Sequence, residues 1–238
     1  MASEADPTAH GPRPVGRRAF VGIVATGLSS LLWGDAALQG INGLLRPVTS
    51  QLPKGLADAF PSPSDGWRIY SVNPPMPIFH PASWRLRIDG LVRRPMTLTY
   101  QDLLALPRAQ QFSDFHCVTG WSVPRVHWAG VRFADLLAPA GILPGAGALN
   151  FVSAEYPYTD SLTLRQAMTS DAMLAFAMDG KPLVREHGAP ARVIMPQMYG
   201  YKGTKWVRQI TVTRQPQIGF WEQRGYDLDA WVGRSNGY

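Results

Sequence analysis

Cys117 is the only cysteine among 238 residues, so it cannot close an intrachain disulfide. Its use is packing, nucleophilic attack, metal ligation or a bond to another molecule. The thiol sits in Phe115-His116-Cys117-Val118-Thr119-Gly120-Trp121-Ser122, where the run from Gln111 to Val118 reads as a strand feeding a turn, the place where sites are commonly built. Two other groupings bear chemistry. His187-Gly188-Ala189-Pro190-Ala191-Arg192 pairs an imidazole with a guanidinium, and Met198 to Trp206 alternates glycines with Lys202 and Lys205 between aromatics. Glycines permit close backbone approach, and amides with ammonium groups form an anion cradle suited to phosphate. The spacing is not that of a P-loop. A Cys-His hydrolase is the competing chemistry. In a strand, however, His116 points away from the face that Cys117 occupies, so His127 or His187 would have to supply the base.

The elements that must position these groups are short. Trp84 to Gly90 alternates apolar and polar residues as a half-buried strand does. Thr99 precedes a short helix that its hydroxyl can cap, and Phe133 to Ala140 reads as a second capped helix. Leu149 to Ser153 is a strand, Thr163 to Thr169 a helix, and Arg192 to Met195 and Trp206 to Val212 are strands. Mixed strands and short helices without regular βαβ alternation predict an α+β fold. A hydrophobic content of 45% is ample for a core in one domain over 67–238. The net charge of +6 comes without a dense basic run beyond Arg17-Arg18, which argues against a nucleic-acid partner and leaves a bias toward anionic ligands.

Residues 1–45 differ from the rest. Gly16-Arg17-Arg18-Ala19-Phe20 leads into the uncharged stretch Ile23 to Gly34, which resembles a twin-arginine export signal. A membrane anchor is the alternative, although Ala19 to Trp33 falls short of the roughly 20 residues a spanning helix needs. Either reading puts the domain outside the cytoplasm, with the N-terminal segment at or near the membrane. Residues 46–66, with Pro47, Pro53, Pro61 and Pro63, read as a linker.

Together the Cys117 turn, the Gly-Ala-Pro-x-Arg segment ending at Arg192, the Tyr-Gly-Tyr-Lys-Gly-x-Lys run ending at Lys205 and Phe220-Trp221-Glu222 to Tyr226 resemble the sulfite oxidase-type molybdopterin oxidoreductases, particularly their exported bacterial branch. The resemblance implies Mo-molybdopterin as cofactor, with Cys117 as its bond to the metal. A thiolate is a soft ligand suited to that role. It further implies that Asn73, Ser153, His187, Arg192, Gly203, Thr204 and Lys205 hold the pterin and its phosphate. His187 departs from the Asn of the methionine sulfoxide reductase branch. Trp121 and Tyr156 become candidates for the substrate pocket.

The implied activity is oxygen-atom transfer on a small S-oxide or N-oxide, since Val118 to Val123 carries no charge where sulfite-oxidising relatives have arginines. Sulfite dehydrogenation by the same fold is the alternative. A metal-free exported binding module is the non-enzymatic one. With no iron–sulfur or haem motif in the chain, the resemblance implies a separate haem electron-transfer partner, such as a b-type membrane protein.

Overall fold

The computed structural model describes residues 66–236, within the unit Asp65–Tyr238. The twin-arginine-like segment and nearly all of the linker lie outside the described residues. Among the described residues, two sheets and three short α-helices make up the architecture. The chain forms β1 (Arg85–Gly90), β2 (Met96–Thr99), α1 (Tyr100–Ala105), β3 (Ala109–His116), β4 (Ser122–Arg132), α2 (Phe133–Leu137) and β5 (Ala148–Ser153). It continues with β6 (Thr159–Thr163), α3 (Leu164–Ala167), β7 (Met173–Met178), β8 (Lys181–Pro182), β9 (Arg192–Ile194) and β10 (Val207–Thr213). One sheet has the order β2-β1-β10-β5-β6, and the other runs β3-β4-β7-β8 with β9 paired to β7. Only β1 and β10 run parallel; the other pairs are antiparallel. This is the α+β arrangement expected from the sequence.

Burial follows the residue pattern. In β10 the side chains of Val207, Ile210 and Val212 are buried while Arg208 is exposed. β7, Met-Leu-Ala-Phe-Ala-Met, is buried along nearly its whole length because both faces are covered. The larger core gathers Leu86, Ile88, Phe133, Leu149, Phe151, Leu174 and Ile210. A smaller cluster joins Val126, Trp128, Met173, Ala175 and Ile194, with Trp67, Phe115 and Trp121 packed against it. That smaller cluster is the floor of the site.

Helix caps separate two sequence expectations. Thr99 caps α1 reciprocally with Asp102, and Thr163 caps α3 with Gln166. The hydrogen bonds to Thr99 hold the Asp102 carboxyl below its usual range. By contrast, α2 starts after Arg132 with no side-chain cap. It needs none, because Phe133, Leu136 and Leu137 are buried and tertiary packing fixes the turn.

Pro124, a residue type that usually marks a turn, lies within β4. Pro124 and Arg125 lie together in a bulge opposite Asp114, between the pairs Ser113↔Val126 and Phe115↔Val123. Arg125 has φ 52 and its amide donates to Asp114 Oδ1 at 2.8 Å. At this end β4 has only β3 beside it, since its pairing with β7 runs from Trp128 to Arg132. A proline without an N–H is tolerated at such an edge.

Candidate functional site

The β3–β4 hairpin presents the thiol. Past His116 the chain turns within four residues: Gly120 N donates to Cys117 O at 3.0 Å and Cys117 N to Trp121 O at 2.9 Å. The thiol is free and half-buried, and its sulfur lies 3.1 Å from Thr119 Oγ1. Trp121 folds back beside it. Its ring stacks on Tyr70 at 6.4 Å and meets Phe115 and Trp67 at 5.7 and 6.1 Å, while its buried indole Nε1 has no partner. Trp67 joins the pieces, contacting Phe115 at 4.8 Å, Trp128 at 6.2 Å and His187 at 4.8 Å.

Behind this aromatic wall lie two cations that have no carboxylate partner among the described residues. Arg192, at the start of β9, is 3% exposed. Its guanidinium lies 5.3 Å from the ring centres of both Phe115 and Trp128. Among the described residues its only hydrogen bond is a long one, Nη1 to His187 O at 3.4 Å, and Nε has none. Burial pushes it down to about 10. Lys205 donates to Tyr70 O at 2.6 Å and Glu186 O at 3.2 Å, and burial, then Arg192, push it down to about 7. His187 is held down to about 4 by burial, then by Arg192 and Lys205, so it is neutral at physiological pH. The ion pairs among the described residues involve Arg87 and Lys202, not these groups.

The buried atoms His187 Nδ1, Arg192 Nε and Thr204 Oγ1 all lack a hydrogen-bond partner. Leaving such groups unpaired costs about 1–3 kcal/mol each. The backbone around them is equally spare. A Cβ on Gly203 would meet Val193 O at 3.0 Å and Arg192 Nη2 at 3.2 Å. Gly188 has φ +100 and a Cβ there would meet Lys205 Cβ at 2.8 Å. Uncompensated positive charge, idle donors and close backbone are what a phosphate-bearing ligand requires, so these residues fit a pterin phosphate.

The other sequence candidates fall into supporting positions. Ser153 Oγ donates to Lys205 O at 2.8 Å and accepts from Glu155 N at 2.9 Å, fixing the lysine backbone. Asn73 Nδ2 donates to Tyr156 O at 2.7 Å. The ring of Tyr156 stands at the rim, the residue being 76% exposed. Glu155, which the sequence reading left unassigned, accepts from Ser71 Oγ and from Val72 N at 2.9 Å, tying down the chain around Tyr70 and Asn73. Tyr226 was likewise quoted without a role. Its hydroxyl is pushed up to about 12 by burial, with the charges of Cys117 and then Tyr70 adding.

The hydrolase constellation does not assemble. His116 Nδ1 pairs with Ser122 Oγ at 2.8 Å, His127 Nε2 with Gln110 at 2.9 Å, and His187 packs on Trp67. Arg125 lies over Phe112 at 5.6 Å. Among the described residues no group of three His, Cys, Asp or Glu could hold a metal ion, so Cys117 stands alone as a ligand candidate. No described helix is long and apolar enough to cross a membrane.

Comparison with known proteins adds a family match: the model described as an oxidoreductase molybdopterin binding domain matches residues 73–221. An uncharacterized oxidoreductase, YuiH, of Bacillus subtilis is 41% identical over 150 residues, covering 62% of this chain and 75% of its own. The protein-methionine-sulfoxide reductase catalytic subunit MsrP of Gluconobacter oxydans is 31% identical over 166 residues, covering 63% of this chain and 53% of its own. Among solved structures, the sulfane dehydrogenase SoxCD of Paracoccus pantotrophus superposes with a TM-score of 0.56 at 29% identity, over 59% of this chain and 41% of that one. The chain thus spans three quarters of the first relative and about half or less of the other two.

Proposed function

The chain belongs to the oxidoreductase molybdopterin-binding domain family, and from that membership we propose that it catalyses oxygen-atom transfer on a small S-oxide or N-oxide, with Cys117 as the protein ligand to molybdenum. The observation that supports this most is the pairing of a free, half-buried thiol with the cradle of Arg192 and Lys205, whose charges have no carboxylate partner among the described residues. When bound, the cofactor supplies the two-electron oxygen-transfer chemistry.

This chain's residues do the holding and shaping. Arg192 and Lys205 grip the phosphate, with Thr204, His187 and the backbone at Gly203 completing the donor set. Ser153 and Asn73 support that cradle through the backbones of Lys205 and Tyr156. Trp121, Trp67 and Tyr70 wall the approach to the sulfur and exclude water. The Thr119 hydroxyl, 3.1 Å from the sulfur, tempers its charge. Tyr226, whose hydroxyl is pushed up by burial and then by the charge of Cys117, belongs to the wall around the sulfur.

A neutral oxide suits this mouth. Val118 to Val123 carries no charge, and Arg125 is engaged on Phe112 rather than free to hold a dianion. Electrons pass to or from a separate haem protein, a b-type membrane partner fitting best. The N-terminal segment acts as a twin-arginine-type export signal, so that the folded domain works outside the cytoplasm.

The test measures molybdenum in the purified protein and follows consumption of electrons from a reduced dye. Full metal with turnover of S-oxides or N-oxides is expected. Fast sulfite oxidation without oxide turnover would make it a sulfite dehydrogenase instead.

A further inference from the structure

A second buried cluster lies apart from the phosphate cradle. Lys202 closes the 3-10 turn Gly200–Lys202, and its Nζ bridges Asp160 on β6 and Glu222, the latter at 2.6 Å. Their side chains are 1%, 1% and 3% exposed. Two carboxylates facing one ammonium, sealed from water, leave one negative charge uncompensated unless a proton is retained. Among the described residues, the nearest further cation, Arg192, acts on the adjoining Tyr158 but is not among the charges that move Asp160, which are those of Lys202 and Glu222. Tyr158 and Tyr201 are phenols raised in the same direction, with burial as the first cause and the Asp160 and Glu222 charges contributing. Arg224 is engaged by Phe220, over its ring at 3.6 Å and with Nη1 donating to its backbone oxygen. Ser161 N donates to Asp160 Oδ1 at 2.6 Å, and Glu222 Oε2 is buried without a partner.

Glu222 begins the 3-10 turn Glu222–Arg224, which ends at Gly225 with φ 92 and returns Tyr226 N to Trp221 O at 3.2 Å. Fixing Glu222 therefore fixes Tyr226, four residues along. Tyr226 packs on Tyr201 at 5.2 Å and on Trp221 at 5.3 Å. Tyr201 in turn donates to Asp227 O at 2.7 Å. The C-terminal strap is thus fastened at residues 201 and 202, next to the ligand cradle at 203–205.

We infer that Asp160, Lys202 and Glu222 form a clasp that holds the C-terminal strap, and with it Tyr226, beside Cys117, and that loosens when the cluster loses its retained proton. Lys202 and Asp160 are positioning residues, acting through Tyr226. Their effect on turnover rests on the function proposed above; their effect on the strap does not. Geometry says where the charge is, and titration says when it appears. Burial, partly offset by Lys202, raises Asp160 from 3.8 to about 8. In the loosened strap the same carboxyl meets water and ionises at its ordinary value. The open form therefore binds fewer protons than the closed one between those limits, and raising pH across that window favours opening by up to about tenfold per pH unit.

Amide hydrogen exchange of residues 219–228 in the cofactor-loaded protein, corrected for intrinsic exchange chemistry, tests this between pH 5 and 9. In the native protein protection should fall steadily up to about pH 8 and then level. Asp160→Asn, which keeps the acceptor without the titration, should flatten that dependence. Lys202→Met should weaken protection at every pH and, with molybdenum still full, lower kcat for the oxide more than it changes KM. An unchanged slope in Asp160→Asn, or no slope in the native protein, overturns the clasp. Should Lys202→Met fail to fold, the Asp160→Asn comparison decides alone. Absence of molybdenum or of oxide turnover would refute the function and leave the exchange result to decide the clasp.

Discussion

At the scale of single residues, the site is defined by what its charges lack. Arg192 is buried between two aromatic rings with one long hydrogen bond and no carboxylate, an arrangement that is unfavourable unless an anion completes it. Arg192→Ala should therefore leave a folded protein that retains its cofactor less tightly. A lost charge-assisted hydrogen bond of about 1.5–3 kcal/mol corresponds to roughly ten- to hundredfold weaker retention, read as molybdenum remaining after dialysis. Full retention would make the arginine a packing residue. Lys205 gives a second prediction. Its folded value of about 7 lies below the ordinary 10.5, so between those values the unfolded chain binds more protons and the cofactor-free protein should gain stability as pH rises. A bound phosphate would restore the ammonium and flatten that gain. Melting temperatures from pH 7 to 10 for loaded and stripped protein should thus differ in slope.

At the scale of elements, the hairpin and two turns bring distant residues together. Gly188 ends the 3-10 turn Arg185–His187 in the left-handed region, against the Lys205 side chain. Gly188→Ala should cost about 1–2 kcal/mol from backbone strain, displace Lys205 and lower cofactor occupancy, as a denaturation midpoint and a metal assay would show. The sequence revealed the strand that leads into Cys117 and the one that opens with Arg192 because their ends coincide with turn residues, and it revealed the Thr99 cap because its chemistry is local. It did not reveal β7, whose unbroken apolar run has no period, nor β4, where Pro124 mimics a turn but occupies a bulge. Trp67 and Glu155 escaped for another reason. Their roles are contacts with residues far along the chain, which no local pattern encodes. Tyr156 accepts from Asn73 Nδ2 on its backbone oxygen and carries its ring at the exposed rim, a placement that its aromatic type alone does not encode.

At the scale of the whole molecule, the site draws on both sheets: Cys117 follows β3, Arg192 opens β9, Ser153 ends β5 and Lys205 precedes β10. A ligand that spans thiol and cradle therefore ties the two sheets together and adds to their stability by mass action. Changing Arg17 and Arg18 to Lys, which lacks the planar guanidinium, should retain folded, metal-loaded protein in the cytoplasm; normal export of that variant would exclude a twin-arginine route.

The central claim is that Cys117 ligates molybdenum, and the visible absorption and molybdenum electron-paramagnetic spectra of the native protein beside Cys117→Ser test it most directly. A serine oxygen is harder and donates less charge than a thiolate. The account predicts that the thiolate-to-metal absorption of the native protein disappears in Cys117→Ser and the paramagnetic signal shifts, while the cradle of Arg192 and Lys205 keeps the pterin bound. A native protein with no molybdenum, or a metal-loaded pair with identical spectra, would contradict it.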